Sequence, residues 1–123
     1  MRSRKRKPTM RPEVGEEMAR RARQSTCAAC GHLECRPVVG HHVLYQQWLI
    51  SAARTLRIDP VPLLEDERGW LNVGDRCHSR HHDAFIRISR DALREHCPFV
   101  FEFAAELNLT GRLERTYPKL VVA

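Results

Sequence analysis

The sequence contains no apolar run that approaches the length of a membrane span, and no apolar segment follows its basic N-terminus. A transmembrane helix needs about 20 apolar residues, and a secretory signal needs an apolar core behind its positive charges. The five cysteines are an odd number, so they cannot all pair as disulfides. We therefore expect a cytoplasmic protein in a reducing compartment, with no membrane partner.

The chain also lacks internal repeats, and its 123 residues are enough for one modest hydrophobic core. A structural metal would add stability that a core of this size lacks. We expect four segments along the chain, which are a basic disordered arm over residues 1–11, an N-terminal helix over 12–26, a core over 27–88 and a C-terminal helical extension over 89–123.

Strand and helix signals alternate in the central part of the chain and predict an α+β fold. Extended segments are expected over residues 36–44 and 70–73, with a helix over 45–57 between them. The second strand leads into a helix over 76–87, for which Asp75 is a suitable N-cap.

Helices are also expected on both sides of this central part. One is predicted over residues 13–24 and one over 92–96 with Ser89 as its cap. Another begins at Pro98 and ends at Thr110 and Gly111, with a final turn over 113–117. Its apolar stripe is expected to be core, as is the lone Cys97; the stripe consists of Phe99, Val100, Phe103, Ala104 and Leu107.

Positive charge is concentrated at the N-terminus. Residues 1–23 contain nine Lys and Arg against three Glu, whereas residues 24–123 contain twelve basic and twelve acidic side chains. Like charges without apolar neighbours do not fold alone, and such an arm binds phosphates by releasing counterions. It could also be only a solvated tail. The candidate DNA-binding residues are Arg2, Arg4, Lys5, Arg6 and Lys7.

Five of the seven histidines form two tight clusters. His41 and His42 are adjacent on the first strand, where a pair of histidines could also be ordinary strand residues. His78, His81 and His82 lie on the helix predicted over 76–87. Residues four apart share a face of a helix, so His78 and His82 can bind one metal ion.

The spacing of the cysteines indicates a zinc-binding site. Cys27 and Cys30, followed by a glycine, form half of a tetrahedral site, and Cys77 is the natural third ligand. The fourth ligand is open between His81, which shares the helical face of Cys77, and Cys35, which lies close to the first pair in sequence.

Together these residues resemble the HNH endonucleases, or ββα-metal nucleases, and in particular small phage-type members with a zinc knuckle. The resemblance covers residues 27–87 and depends on Cys27-x2-Cys30-Gly31, His41-His42-Val43 and Cys77-His78-x3-His82. It implies that His41, His78 and His82 hold one catalytic divalent ion, which could be Mg²⁺, Mn²⁺, Ni²⁺, Co²⁺ or Zn²⁺. It further implies that His42 is the general base and that a separate site holds one structural zinc.

Two positions depart from the family pattern. The family has a second cysteine three residues before the helix cysteine, where this chain has Gly74. The family also has an asparagine upstream of the helix histidine, and here Asn72 is the candidate for positioning His42. Either Asn72 takes that role or the role is lost.

The sequence thus predicts a metal-dependent endonuclease that hydrolyses DNA by nicking or double-strand cleavage. The family context suggests phage terminase or other packaging proteins as partners. The alternative is a zinc-stabilised nucleic-acid-binding module without nuclease activity. A third possibility is an assembly protein that uses the C-terminal apolar stripe.

Overall fold

The computed structural model describes residues 7–83 and 87–119, and within them the chain has the expected α+β composition. None of the described helices is both long and apolar enough to cross a membrane. The elements in chain order are α1 (Pro12–Arg23), β1 (Val38–His42), α2 (Gln46–Leu56), α3 (Val61–Leu64), a 3₁₀ turn (Glu67–Gly69), β2 (Trp70–Gly74), α4 (Asp75–His82), α5 (Arg90–His96), α6 (Val100–Glu106) and α7 (Thr110–Thr116).

The two strands form an antiparallel pair in which Val38 lies opposite Gly74 and His42 lies opposite Trp70. Helix α1 packs against this pair at Gly40, where an added Cβ would lie only 2.6 Å from the side chain of Met18. The absence of a side chain at Gly40 therefore allows the helix to approach the sheet closely.

Helix α4 follows β2 without a connecting loop, and it packs against both strands. In the antiparallel pair the C-terminal residues of β1 lie opposite the start of β2. The packing of α4 against both strands brings His41, which is more than thirty residues away in sequence, against His78 of α4.

Helices α5 to α7 close the hydrophobic core over the sheet. The buried side chains of these helices include Leu93, Phe103 and Leu113, and Tyr117 directly after α7 is buried as well; each is at most 1% exposed. Burial of a large apolar side chain contributes about 1.5–3 kcal/mol. Cys97 is buried, which confirms its expected role as a small apolar residue.

The structure corrects three details of the predicted helices. Phe99 is 65% exposed, so it does not belong to the core stripe. The helix that contains the stripe ends earlier than expected, because Asn108 takes a left-handed conformation at φ 58°. Thr110 therefore begins α7 instead of ending α6.

Helix α4 is also shorter than predicted. It begins at Asp75 itself, after Gly74, and ends at His82, whereas the sequence suggested continuation to Arg87. Residues 84–86 lie outside the described part of the chain. The backbone N–H of Ile88 donates to ring Nδ1 of His81, so Ile88 lies beside the last turn of α4.

Candidate metal centres

Four cysteine thiols meet where the knuckle loop, which carries Cys27, Cys30 and Gly31, contacts the start of α4. The sulfur atoms of Cys27, Cys30, Cys35 and Cys77 lie within 4.8 Å of one another. The Cys35 and Cys77 sulfurs are 3.7 Å apart, and a tetrahedral zinc with Zn–S bonds of about 2.3 Å requires sulfur atoms about 3.8 Å apart. The cluster could therefore hold a structural metal ion, plausibly zinc.

The knuckle loop prepares one of these sulfurs for ionisation. Gly31 takes φ 71°, and its N–H donates to the Cys27 carbonyl, which closes the turn. Burial raises the pKa of the Cys27 thiol, but the backbone N–H groups of Gly74, Cys30 and Ala29 favour the thiolate and lower this pKa to about 7. A thiolate is the form that binds zinc.

The environment of Cys30 and Cys77 favours the neutral thiol. Burial and the adjacent thiols of Cys35 and Cys30 raise the pKa of Cys77. Burial also raises the pKa of Cys30. A bound divalent ion would reverse this preference, because its charge stabilises coordinating thiolates directly.

The fourth member of the cluster is Cys35, and the prediction of His81 as a zinc ligand is corrected. Both ring nitrogens of His81 are engaged elsewhere, Nε2 with the Tyr45 hydroxyl at 2.7 Å and Nδ1 with the N–H of Ile88 at 3.1 Å. Gly74 lies directly against Cys35, and a Cβ there would collide with the Cys35 sulfur and carbonyl. The glycine at the family's second cysteine position thus leaves space for Cys35.

A second cluster joins the end of β1 to α4. The Nδ1 atom of His41 lies 3.1 Å from Nε2 of His78, which is 3.0 Å from Nε2 of His82. These distances are compatible with one ion about 2.1 Å from each nitrogen. His41 is 2% exposed, and His82 is open to solvent. The two α4 histidines lie together because they are four residues apart.

The environment favours the neutral form of the His41 and His78 imidazoles. Burial, followed by the neighbouring imidazoles of His78, His81 and His82, lowers the pKa of His41 well below its ordinary value. Burial and His82 likewise lower the pKa of His78. A neutral imidazole is the form that can bind a metal ion.

His42 faces the same cavity as this cluster. Its Nε2 lies 2.9 Å from the Leu64 carbonyl, which can only accept a hydrogen bond, so the ring proton is on Nε2 and the lone pair is on Nδ1. Burial lowers the pKa of His42, although the bond to Leu64 opposes this shift. The cavity measures about 410 Å³ and its walls include Lys7, His41, His42, Gln46, His78 and His82.

Asn72 does not approach His42, so the expectation that it positions this ring is corrected. Its side-chain amide donates to the hydroxyl of Ser25 at 3.1 Å. Asn72 lies opposite Gly40 in the sheet, two residue pairs from His42. The backbone carbonyl of Leu64 orients the His42 ring instead.

The basic arm is described from Lys7 onward; the candidates Arg2, Arg4, Lys5 and Arg6 lie outside the described residues. Lys7 borders the histidine cavity. Arg11 fixes the end of the arm, since its backbone N–H donates to Glu65 at 2.8 Å and its guanidinium Nε lies 3.0 Å from the same carboxylate.

Among the contacts to the histidines that sequence reasoning missed, two hold the rings of His41 and His42. The Tyr117 hydroxyl lies 2.8 Å from Nε2 of His41, and the Leu64 carbonyl holds His42. The only sequence signal for the Tyr117 contact was a lone tyrosine before Pro118, in a segment that otherwise has no candidate functional residues. A backbone carbonyl gives no sequence signal.

Searches among protein families, curated proteins and solved structures found no match to this chain.

Proposed function

We propose that the chain is a metal-dependent endonuclease that hydrolyses phosphodiester bonds of DNA. The observation that carries this proposal is the position of His42, which lines the same cavity as the three clustered histidines and has its lone pair on Nδ1. A metal-binding group and a neutral base in one cavity are the two parts that phosphodiester hydrolysis by a single ion needs.

The metal ligands in this proposal are His41, His78 and His82. Mg²⁺ prefers oxygen ligands, so a group of three nitrogens favours Mn²⁺, Co²⁺, Ni²⁺ or Zn²⁺. Such an ion would offset charge on the scissile phosphate and stabilise the leaving oxygen. Three protein ligands leave coordination positions for water and substrate.

His42 takes the proton of the attacking water in this mechanism. The Leu64 carbonyl fixes its tautomer, and the amide of Gln46 approaches its Nδ1 at 3.5 Å. Since the imidazole is neutral at pH 7, it can accept a proton without first losing one.

The order of β1, β2 and α4 supports a finer assignment to the ββα-metal nucleases. In this assignment β1 supplies the ligand His41 and the base His42, and α4 supplies His78 and His82. The zinc cluster anchors the start of the same helix through Cys77.

The test of the proposal is cleavage of supercoiled plasmid by the purified protein with a panel of divalent ions. We expect nicked or linear products that depend on the ion and disappear with chelator. His82→Ala should weaken metal affinity by more than about tenfold, whereas His96→Ala, which alters a histidine outside both clusters, should not. Binding of DNA without cleavage under every ion would instead favour the zinc-stabilised binding module.

The basic arm gives an independent prediction about DNA affinity. Changing the five basic residues of the arm to glutamine should weaken binding and reduce the slope of log affinity against log salt by up to about 4.5, at about 0.9 per phosphate contact. The changed residues are Arg2, Arg4, Lys5, Arg6 and Lys7. Binding measured by fluorescence anisotropy at several salt concentrations tests this, and an unchanged slope would mean that the arm only solvates the N-terminus.

A further inference from the structure

The ring of His41 has two nitrogens, and the buried hydroxyl of Tyr117 contacts the one that faces away from the histidine cluster. This hydroxyl lies 2.6 Å from the backbone carbonyl of Val43 and 2.8 Å from Nε2 of His41. The Val43 carbonyl can only accept, so the phenolic proton is directed to it. The phenolic oxygen is then left to accept a hydrogen bond from Nε2–H of His41.

This direction of donation fixes the tautomer of His41. With its proton on Nε2, the neutral ring has its lone pair on Nδ1, and Nδ1 is the atom that faces Nε2 of His78 at 3.1 Å. The opposite tautomer would present an N–H to the cluster and could not bind a metal ion through that nitrogen. A hydrogen bond from the outer nitrogen of a ligating histidine also increases its basicity as a ligand.

Tyr117 is held rigidly enough for this role. Its side chain is fully buried, and its ring stacks on that of His81 at a centroid distance of 4.8 Å and an interplanar angle of 19°. Its backbone N–H donates to Leu113, and the adjacent Pro118 carbonyl accepts from the N–H of Arg90. With His41 only 2% exposed, water cannot easily replace the phenol.

We infer that Tyr117 is a positioning residue for the histidine metal centre, which makes the C-terminal extension a functional part of that centre. It acts through His41 and contacts neither the ion nor the substrate. The catalytic part of this inference rests on the proposed function. The tautomer of His41 and the metal affinity of the histidine cluster can be measured without any cleavage assay.

The experiment compares wild type with Tyr117→Phe, both as the full chain with one equivalent of zinc. Long-range ¹H–¹⁵N spectra before addition of a second metal should show His41 as the Nε2–H tautomer in wild type. The variant should lose this preference. Calorimetric titration with Ni²⁺ should show an affinity lower by about 10- to 100-fold, with unchanged zinc content.

Tyr45→Phe is the matched control, because it removes a hydroxyl that hydrogen-bonds to His81, which is outside the cluster, and keeps the ring that lies against His41 and His82. It should leave Ni²⁺ affinity and the His41 tautomer unchanged. The inference is overturned if Tyr117→Phe matches wild type in both measurements, a result that would leave the nuclease proposal intact. An Nδ1–H tautomer of His41 in the wild type would also overturn it, even if the variant did not fold.

Discussion

Replacement of His42 by alanine is expected to reduce DNA cleavage by about 10² to 10⁴, the usual contribution of a positioned general base. Metal and DNA binding should stay nearly unchanged, because the ligand nitrogens belong to His41, His78 and His82. The loss should appear in the rate of the chemical step and not in the metal concentration needed for activity.

The measurement is single-turnover cleavage of supercoiled DNA with metal content determined alongside. His41→Ala is the contrasting variant, and it should weaken binding of the catalytic ion because the metal centre loses a ligand. Cleavage by His42→Ala at the wild-type rate would remove His42 from the mechanism. Equal losses of metal from both variants would mean that the two adjacent histidines do not have separate roles.

The second large effect is expected at Cys35. Cys35→Ser should lose its zinc and its cooperative thermal transition, because the sulfur of Cys35 completes the group formed with Cys27, Cys30 and Cys77. Binding of a structural zinc contributes about 10–16 kcal/mol in small domains, whereas the total stability of a domain is about 5–15 kcal/mol. The free energy lost with the zinc site is therefore comparable with the total free energy of unfolding.

Zinc content by mass spectrometry and unfolding by circular dichroism test this prediction. Cys97→Ser is the matched control, since Cys97 is also buried but lies outside the cluster; it should keep one zinc. His81→Gln should keep it as well. A Cys35→Ser protein with a full zinc complement, together with loss of zinc from His81→Gln, would restore His81 as the fourth ligand.

Local spacing was sufficient to predict much of the two side-chain clusters that could hold metal ions. His78 and His82 share a helical face because they are four residues apart, and Cys27 and Cys30 have the spacing of a knuckle. The strand before His42 and the helix that carries His78 were also predicted, since their patterns are short-range.

The remaining parts depend on tertiary contacts that no local pattern encodes. The choice of Cys35 over His81 follows from the position of the loop against Gly74 and from the bond between His81 and Ile88. Orientation of His42 depends on a backbone carbonyl, which every residue possesses. The end of α4 was misjudged because its sequence has no helix-breaking residue near His82.

The shortness of α4 implies an order of binding in time for the two metals proposed above. An isolated helix of eight residues, the length of α4, is not stable in water, so its residues need the sheet and the thiolate cluster at Cys77 to hold their conformation. The imidazoles of His78 and His82, which lie on a different face of α4 from Cys77, acquire their spacing only afterwards. We therefore expect zinc to act as a maturation factor that must be present during folding, whereas the catalytic ion can enter and exchange in the mature protein.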